Sequence, residues 1–174
     1  MQVYGVIGWK NSGKTGLMER LIAELRGRGL RVSSIKHAHH SFDIDQPGKD
    51  SFRHRQAGAG EVVLASSQRW VLMHENEGGA EPALAELLAR LSPVDLVLVE
   101  GYKRDAHPKI EAHRVATGQA LIGPDDPTVR AVASDRRAGL PGMGWHGAAF
   151  DLEDAAGIAD FILADLGLSD PGSA

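Results

Sequence analysis

The residues Gly8-Trp9-Lys10-Asn11-Ser12-Gly13-Lys14-Thr15 carry the spacing G-x-x-x-x-G-K-[ST], and the chemistry of that spacing is phosphate capture. Such a loop turns its backbone N–H groups inward around an anion, and a helix starting at its end adds the positive end of a macrodipole. Lys14 would reach the β and γ phosphates, and the Thr15 hydroxyl would ligate Mg²⁺. The flanks fit this geometry. Val3 to Ile7 is an apolar run that reads as a strand, and Leu17, Met18, Leu21, Ile22 and Leu25 recur at helical spacing before Gly27 and Gly29 stop the pattern.

Phosphate capture becomes chemistry only when a metal and an acid to position it are added. The best source of that acid is Asp95-Leu96-Val97-Leu98-Val99-Glu100-Gly101. Its unbroken apolar run predicts a strand buried on both faces, beside the first strand. Ligands of open α/β sheets gather at the carboxyl ends of the strands. Asp95 opens the strand and would lie about 16 Å from that edge, at about 3.3 Å per residue. Glu100 closes the strand and is assigned as the acid near Mg²⁺; the competing reading is an ion pair with Lys103 or Arg104. The segment from Lys36 to Ser51 leaves the same edge and is dense in polar groups. Asp43 and Asp50 are candidates for positioning a metal or water, Lys49 for a phosphate or second ligand, and the whole segment for a switch ordered by the γ-phosphate. His37, His39 and His40 leave a zinc or nickel reading open.

A base-reading residue is suggested by Val129-Arg130-Ala131-Val132-Ala133-Ser134-Asp135. An aspartate just past a late strand accepts from guanine N1–H and the exocyclic amine. Adenine offers neither donor, and an unpaired buried carboxylate is costly. The usual preceding Asn-Lys is absent here, and an Asp capping a turn would occupy the same position.

The elements that position these residues alternate along the chain, which predicts α/β architecture with βα units on a mostly parallel sheet. Strands are expected at 3–8, 31–36, 61–65, 70–74, 95–100, 109–114 and 129–133, and helices at 14–26, 51–57, 81–91 and 152–166. The runs on either side of Ser66-Ser67-Gln68 predict a β-hairpin added to the sheet. Leu84, Leu87, Leu88 and Leu91 mark a core-facing stripe, residues 139–147 a loop, and 169–174 a tail after a single domain at 1–168. The chain has 174 residues, with 43% hydrophobic and 24% charged residues, a composition suited to one globular domain. A net charge of −4 argues against a nucleic-acid partner. The absence of cysteine excludes disulfides and thiolate metal sites. No stretch reads as an export signal or membrane span, so a cytoplasmic location is expected.

Taken in order, Gly8–Thr15, Lys36-His37-Ala38-His39-His40, Pro47-Gly48-Lys49-Asp50-Ser51 with Ala57-Gly58-Ala59, and Val99-Glu100-Gly101-Tyr102-Lys103 followed by Pro108-Lys109-Ile110 closely resemble the molybdopterin-guanine dinucleotide biosynthesis protein B family, MobB. The resemblance covers roughly residues 1–165. It implies a three-layer P-loop NTPase fold of the signal-recognition-particle/MinD branch, a homodimer, and GTP binding with weak Mg²⁺-dependent hydrolysis. It also implies an adaptor role beside a MobA-like nucleotidyltransferase that attaches GMP to molybdopterin. Phosphates would then lie on Asn11, Ser12, Gly13, Lys14 and Thr15, Asp50 and Glu100 near Mg²⁺, and Lys103 and Lys109 toward the pterin phosphate or the partner. One departure stands out: MinD-like members carry a lysine directly after the first loop glycine, where this chain has Trp9. Competing functions are a small-molecule kinase using Arg104, Arg136 and Arg137, and a nickel- or zinc-handling GTPase using His37, His39 and His40.

Overall fold

The structure is a computed structural model that describes residues 1–38, 42–76, 78 and 80–169. It divides into two compact units, the first comprising 1–37 and 87–174 and the second 38–86.

The first unit is built on a parallel six-stranded sheet. Its strands are β1 (Gln2–Ile7), β2 (Val32–Lys36), β5 (Leu96–Glu100), β6 (Lys109–His113), β7 (Val129–Ser134) and β8 (Ala148–Asp151), in the order β2-β5-β1-β6-β7-β8. The helices α1 (Lys14–Gly27) and α4 (Ala155–Leu166) pack against each other over one face. Leu17, Leu21, Leu25, Ile158 and Ile162 interlock there with Tyr4, Val6, Leu96, Leu98 and Ile110. Apolar burial of this kind contributes roughly 1.5–3 kcal/mol per large side chain. The opposite face carries a smaller cluster of Ile7, Leu121, Val132, Leu140 and Trp145. β5 is apolar from Leu96 to Val99 because neighbours cover both of its faces, which is why its sequence shows no alternation before Glu100.

The second unit contains α2 (Asp50–Gln56) and the antiparallel hairpin of β3 (Glu61–Ala65) and β4 (Trp70–His74), with Ala65 paired to Trp70. The expected hairpin is therefore present as its own two-stranded sheet. α3 (Leu84–Arg90) straddles the boundary between the units and is shorter than expected; Leu84 is buried, and Leu87, Leu88 and Leu91 are half-buried. No helix among the described residues is long and apolar enough to cross a membrane.

Three expectations about elements need correction. Residues 137–143 form a 3-10 turn within the expected loop. β8 was not anticipated. α4 begins at Ala155 instead of Leu152, because the Asp154 side chain accepts from the Gly157 N–H at 3.0 Å and caps the helix there, leaving Leu152 as a core residue ahead of it.

β6 buries a polar face. Lys109, Glu111 and His113 are all buried. Lys109 Nζ donates to the Asp105 carbonyl and the Thr128 hydroxyl, and Glu111 accepts from the Ile122 and Gly123 N–H groups at 2.9 and 2.8 Å. His107, just ahead of β6, has both ring nitrogens buried without a hydrogen-bond partner among the described residues. Burial depresses its pKa below the ordinary 6.5, and the Lys109 charge adds to that. Because the folded pKa is lowered, the unfolded chain binds the proton more tightly, so stability present above pH 6.5 is lost as pH falls from 6.5 through the folded value. Glu111, whose pKa burial raises, acts in the opposite sense. His107→Gln is therefore expected to flatten the acid-side loss, by up to about 1.4 kcal/mol per pH unit within that window. Denaturant unfolding of wild type and variant between pH 8 and 5 checks this, and parallel curves would refute it.

Candidate functional site

β1 ends at Ile7 between β5 and β6, and the loop after it is shaped by positive φ angles. Gly8 has φ +142°, Asn11 +65° and Gly13 +96°. The Ser12 N–H donates to the Trp9 carbonyl at 3.2 Å, and the Leu17 N–H donates to the Gly13 carbonyl at 3.0 Å as α1 begins. Left-handed residues spaced along a loop in this way can turn its N–H groups into a concavity suited to an anion. Ser12 Oγ is buried with no hydrogen-bond partner among the described residues. Lys14 arches back over the loop, donating to the carbonyls of Gly8 at 3.0 Å and Trp9 at 2.7 Å. Burial lowers its pKa, the Glu100 carboxylate opposes that, and the nearby ammonium groups of Lys103 and Lys36 lower it further.

Register brings the acid to the loop. Glu100 is paired with Val6 on one side and Lys36 on the other, so it reaches the carboxyl edge of the sheet where α1 starts. Thr15 Oγ1 donates to Glu100 Oε1 at 3.3 Å, and Lys36 Nζ stands 3.7 Å from the same oxygen. A hydroxyl and a carboxylate converging this closely are hard oxygen donors that fit Mg²⁺. The ion pair of Glu100 is with Lys36, instead of Lys103 or Arg104 as the competing reading had it. Asp95 lies at the other end of β5, where Arg31 pairs with it through its backbone N–H at 2.7 Å and its guanidinium at 3.0 Å.

After Glu100 the chain folds back sharply. Gly101 has φ +99° and Tyr102 +48°; a Cβ at Gly101 would stand 2.7 Å from His37 Cβ, and the Tyr102 ring stacks on His37 at 4.6 Å. This turn places Lys103 Nζ over the Trp9 ring, 4.4 Å from its centroid. The Trp9 indole N–H in turn donates to the Ala120 carbonyl at 2.8 Å.

A loop, an acid and a set of lysines assembled in this way match a known family over most of the chain. The family model of molybdopterin guanine dinucleotide synthesis protein B, MobB, matches residues 3–135. The chain belongs to the MobB family. It is 42% identical to the molybdopterin-guanine dinucleotide biosynthesis adapter protein of Escherichia coli, over 89% of this chain and 87% of that one. It is 40% identical to the adapter protein of Haemophilus influenzae, over 91% and 85%. Among solved structures, a MobB homolog from Bacillus stearothermophilus superimposes with a TM-score of 0.64 at 27% identity, covering 96% of this chain and 99% of that one. The α/β fold with a mostly parallel sheet is thus that of MobB.

Within this MobB-family chain the remaining expected residues fall as follows. Asp135 is exposed, and its Oδ1 accepts from the Val115 N–H at 3.0 Å. Lys49 precedes α2 and its carbonyl accepts from the Arg53 N–H. Asp50, in the first turn of α2, has an exposed carboxylate 3.9 Å from Arg53. Both belong to the second unit. Asp43 is committed elsewhere in that unit: the Asp45 N–H and the Arg55 guanidinium hold its carboxyl below the usual range. His39 and His40 lie outside the described residues, and the described ones contain no group of three potential metal ligands. Lys109 corrects an expectation. It is fully buried at the foot of β6, where its amine satisfies internal acceptors, so it does not face a pterin phosphate or a partner.

Two neighbours of the loop were not anticipated. Lys36 was read only as part of a polar segment; adjacency of β2 to β5 is the signal that would have placed it beside Glu100. Arg114, just past β6, has its Nε 3.0 Å from where a Cβ on Gly13 would stand, a contact that needs β6 beside β1.

Proposed function

We propose that this chain binds GTP and Mg²⁺ in the Gly8–Thr15 loop and serves as an adaptor in molybdopterin-guanine dinucleotide biosynthesis. In this reading it acts as a cytoplasmic homodimer beside a MobA-like nucleotidyltransferase that attaches GMP to molybdopterin, and any hydrolysis of its own GTP is slow. The observation that carries the nucleotide part is the convergence of the Lys14 amine, the Thr15 hydroxyl and the Glu100 carboxylate at the mouth of one N–H-lined loop. The adaptor part rests on the names of the E. coli and H. influenzae relatives.

The division of labour follows from the residues. Backbone N–H groups of the loop and the start of α1 hold the phosphates, and Lys14 turns from the Gly8 and Trp9 carbonyls to the β and γ oxygens. Thr15 and Glu100 hold Mg²⁺, whose charge, when it is bound, neutralises the phosphate oxygens. Asp135 selects guanine: the Val115 N–H orients its carboxylate, and its second oxygen has no partner among the described residues. Lys49 and Asp50 are proposed contributors on sequence grounds alone. Calorimetry with Mg²⁺ is expected to show GTP bound at least about tenfold more tightly than ATP, with Asp135→Ala erasing the difference. Equal affinities in the wild type would remove the guanine assignment.

A further inference from the structure

Each lysine around the loop mouth has a different tether. Lys14 rests on two carbonyls, and Lys36 is neutralised by Glu100. Lys103 has no carboxylate partner among the described residues; its ammonium lies over the face of Trp9. A cation on an aromatic face is attracted only weakly at a partly exposed site, so a charge-assisted bond to a phosphate oxygen would readily draw it away. Its main chain, by contrast, is held firmly. The Gly101 N–H donates to the Val6 carbonyl at 3.1 Å, and the Asp105 N–H donates to the Tyr102 carbonyl at 3.1 Å. Gly101 is packed on His37, and Tyr102 is stacked on it at positive φ. A non-glycine residue in that conformation is strained and persists where the surroundings impose it. The result is a weakly tethered charge on a fixed turn, seated on the second residue of the loop.

We propose that Lys103 is the ligand of the nucleotide's terminal phosphate, and that Trp9 is the positioning residue that holds its ammonium at the loop until that phosphate arrives. The assignment to the terminal phosphate follows from the Lys14 geometry. The amine that reaches the β and γ phosphates rests on the Gly8 and Trp9 carbonyls, and Lys103 lies over the Trp9 ring, so both ammonium groups are held at the same loop residue. Trp9 is itself pinned to Ala120, so the perch is rigid. This rests on the nucleotide reading given above.

The test is calorimetry of the full-length protein with GTP and GDP, each with Mg²⁺, on wild type, Lys103→Ala, Lys103→Arg, Trp9→Leu and Lys14→Ala. Lys103→Ala is expected to weaken GTP about tenfold while leaving GDP within about twofold, Lys103→Arg to restore most of the preference, and Trp9→Leu to lower the GTP/GDP ratio about threefold. Indole emission should change on adding GTP but not GDP, and that change should vanish in Lys103→Ala and Trp9→Leu. An unchanged GTP/GDP ratio in Lys103→Ala, or equal weakening of both nucleotides, overturns the proposal. Undiminished binding by Lys14→Ala, or none by the wild type, overturns the nucleotide reading instead. Should Lys103→Ala fail to fold, Lys103→Gln and Trp9→Leu carry the same comparison.

Discussion

Lys14→Ala is expected to lower GTP affinity at least about 100-fold, or about 3 kcal/mol, with the fold retained. The lysine is half-buried and makes its hydrogen bonds to the backbone oxygens of Gly8 and Trp9. Truncation therefore leaves no buried carboxylate unpaired: Glu100 keeps Thr15 at 3.3 Å and Lys36 at 3.7 Å. The charge-assisted bonds that Lys14 makes to phosphate in this reading vanish. Far-UV circular dichroism with a thermal melt would establish the fold, and calorimetry with Mg²⁺ the affinity. A folded variant with wild-type GTP affinity would defeat the assignment of Gly8–Thr15 as a phosphate site.

Gly8→Ala should instead damage the scaffold. At φ +142° a side chain is strained whatever the space, and here there is none: the new Cβ would stand 2.3 Å from the Ala112 carbonyl oxygen and 2.5 Å from Ser12 Oγ. Ala112 sits in β6, hydrogen-bonded into the sheet, and cannot step aside without breaking strand pairing. Backbone strain and overpacking together are expected to cost about 3 kcal/mol or more, which for a chain of this size lowers Tm by about 6–12 °C. Nucleotide binding should fall with it. Gly27→Ala is the control, since nothing stands within 4 Å of its added Cβ; its Tm should stay within about 2 °C of wild type or rise. If Gly8→Ala melts like Gly27→Ala, the close approach of loop and β6 is wrong.

Much of the frame was legible because its signals are local. The β3–β4 hairpin matches its expected bounds, since two apolar runs around a short polar turn leave little choice of register. β5 announced itself through four consecutive apolar residues, and Glu100 was placed at its carboxyl end by counting. β8 was missed because Ala148–Asp151 is a four-residue edge strand with no periodicity to read, and the start of α4 was misjudged because Leu152 continues the apolar pattern although Asp154 is the cap. The expectation for Lys109, that it faces a pterin phosphate or a partner, came from the family resemblance and not from a local signal. Yet Lys109 is satisfied by the Asp105 carbonyl ahead of β6 and the Thr128 hydroxyl after it, and Glu111 by the Ile122 and Gly123 N–H groups of the chain between β6 and β7.

What the sequence determined by itself was the shape of the Gly8–Thr15 loop. Its curvature depends on a few contiguous residues, and glycines at Gly8 and Gly13 permit the φ angles that turn N–H groups inward. Only the tertiary structure decided what surrounds it. Glu100, Lys36, Lys103 and Arg114 come from the ends of β5, β2 and β6, and they meet at the loop because β1 lies between β5 and β6 with β2 outside β5. That strand order arises from burying the faces of the whole sheet at once, so no single stretch of sequence records that Lys103 would end up on Trp9.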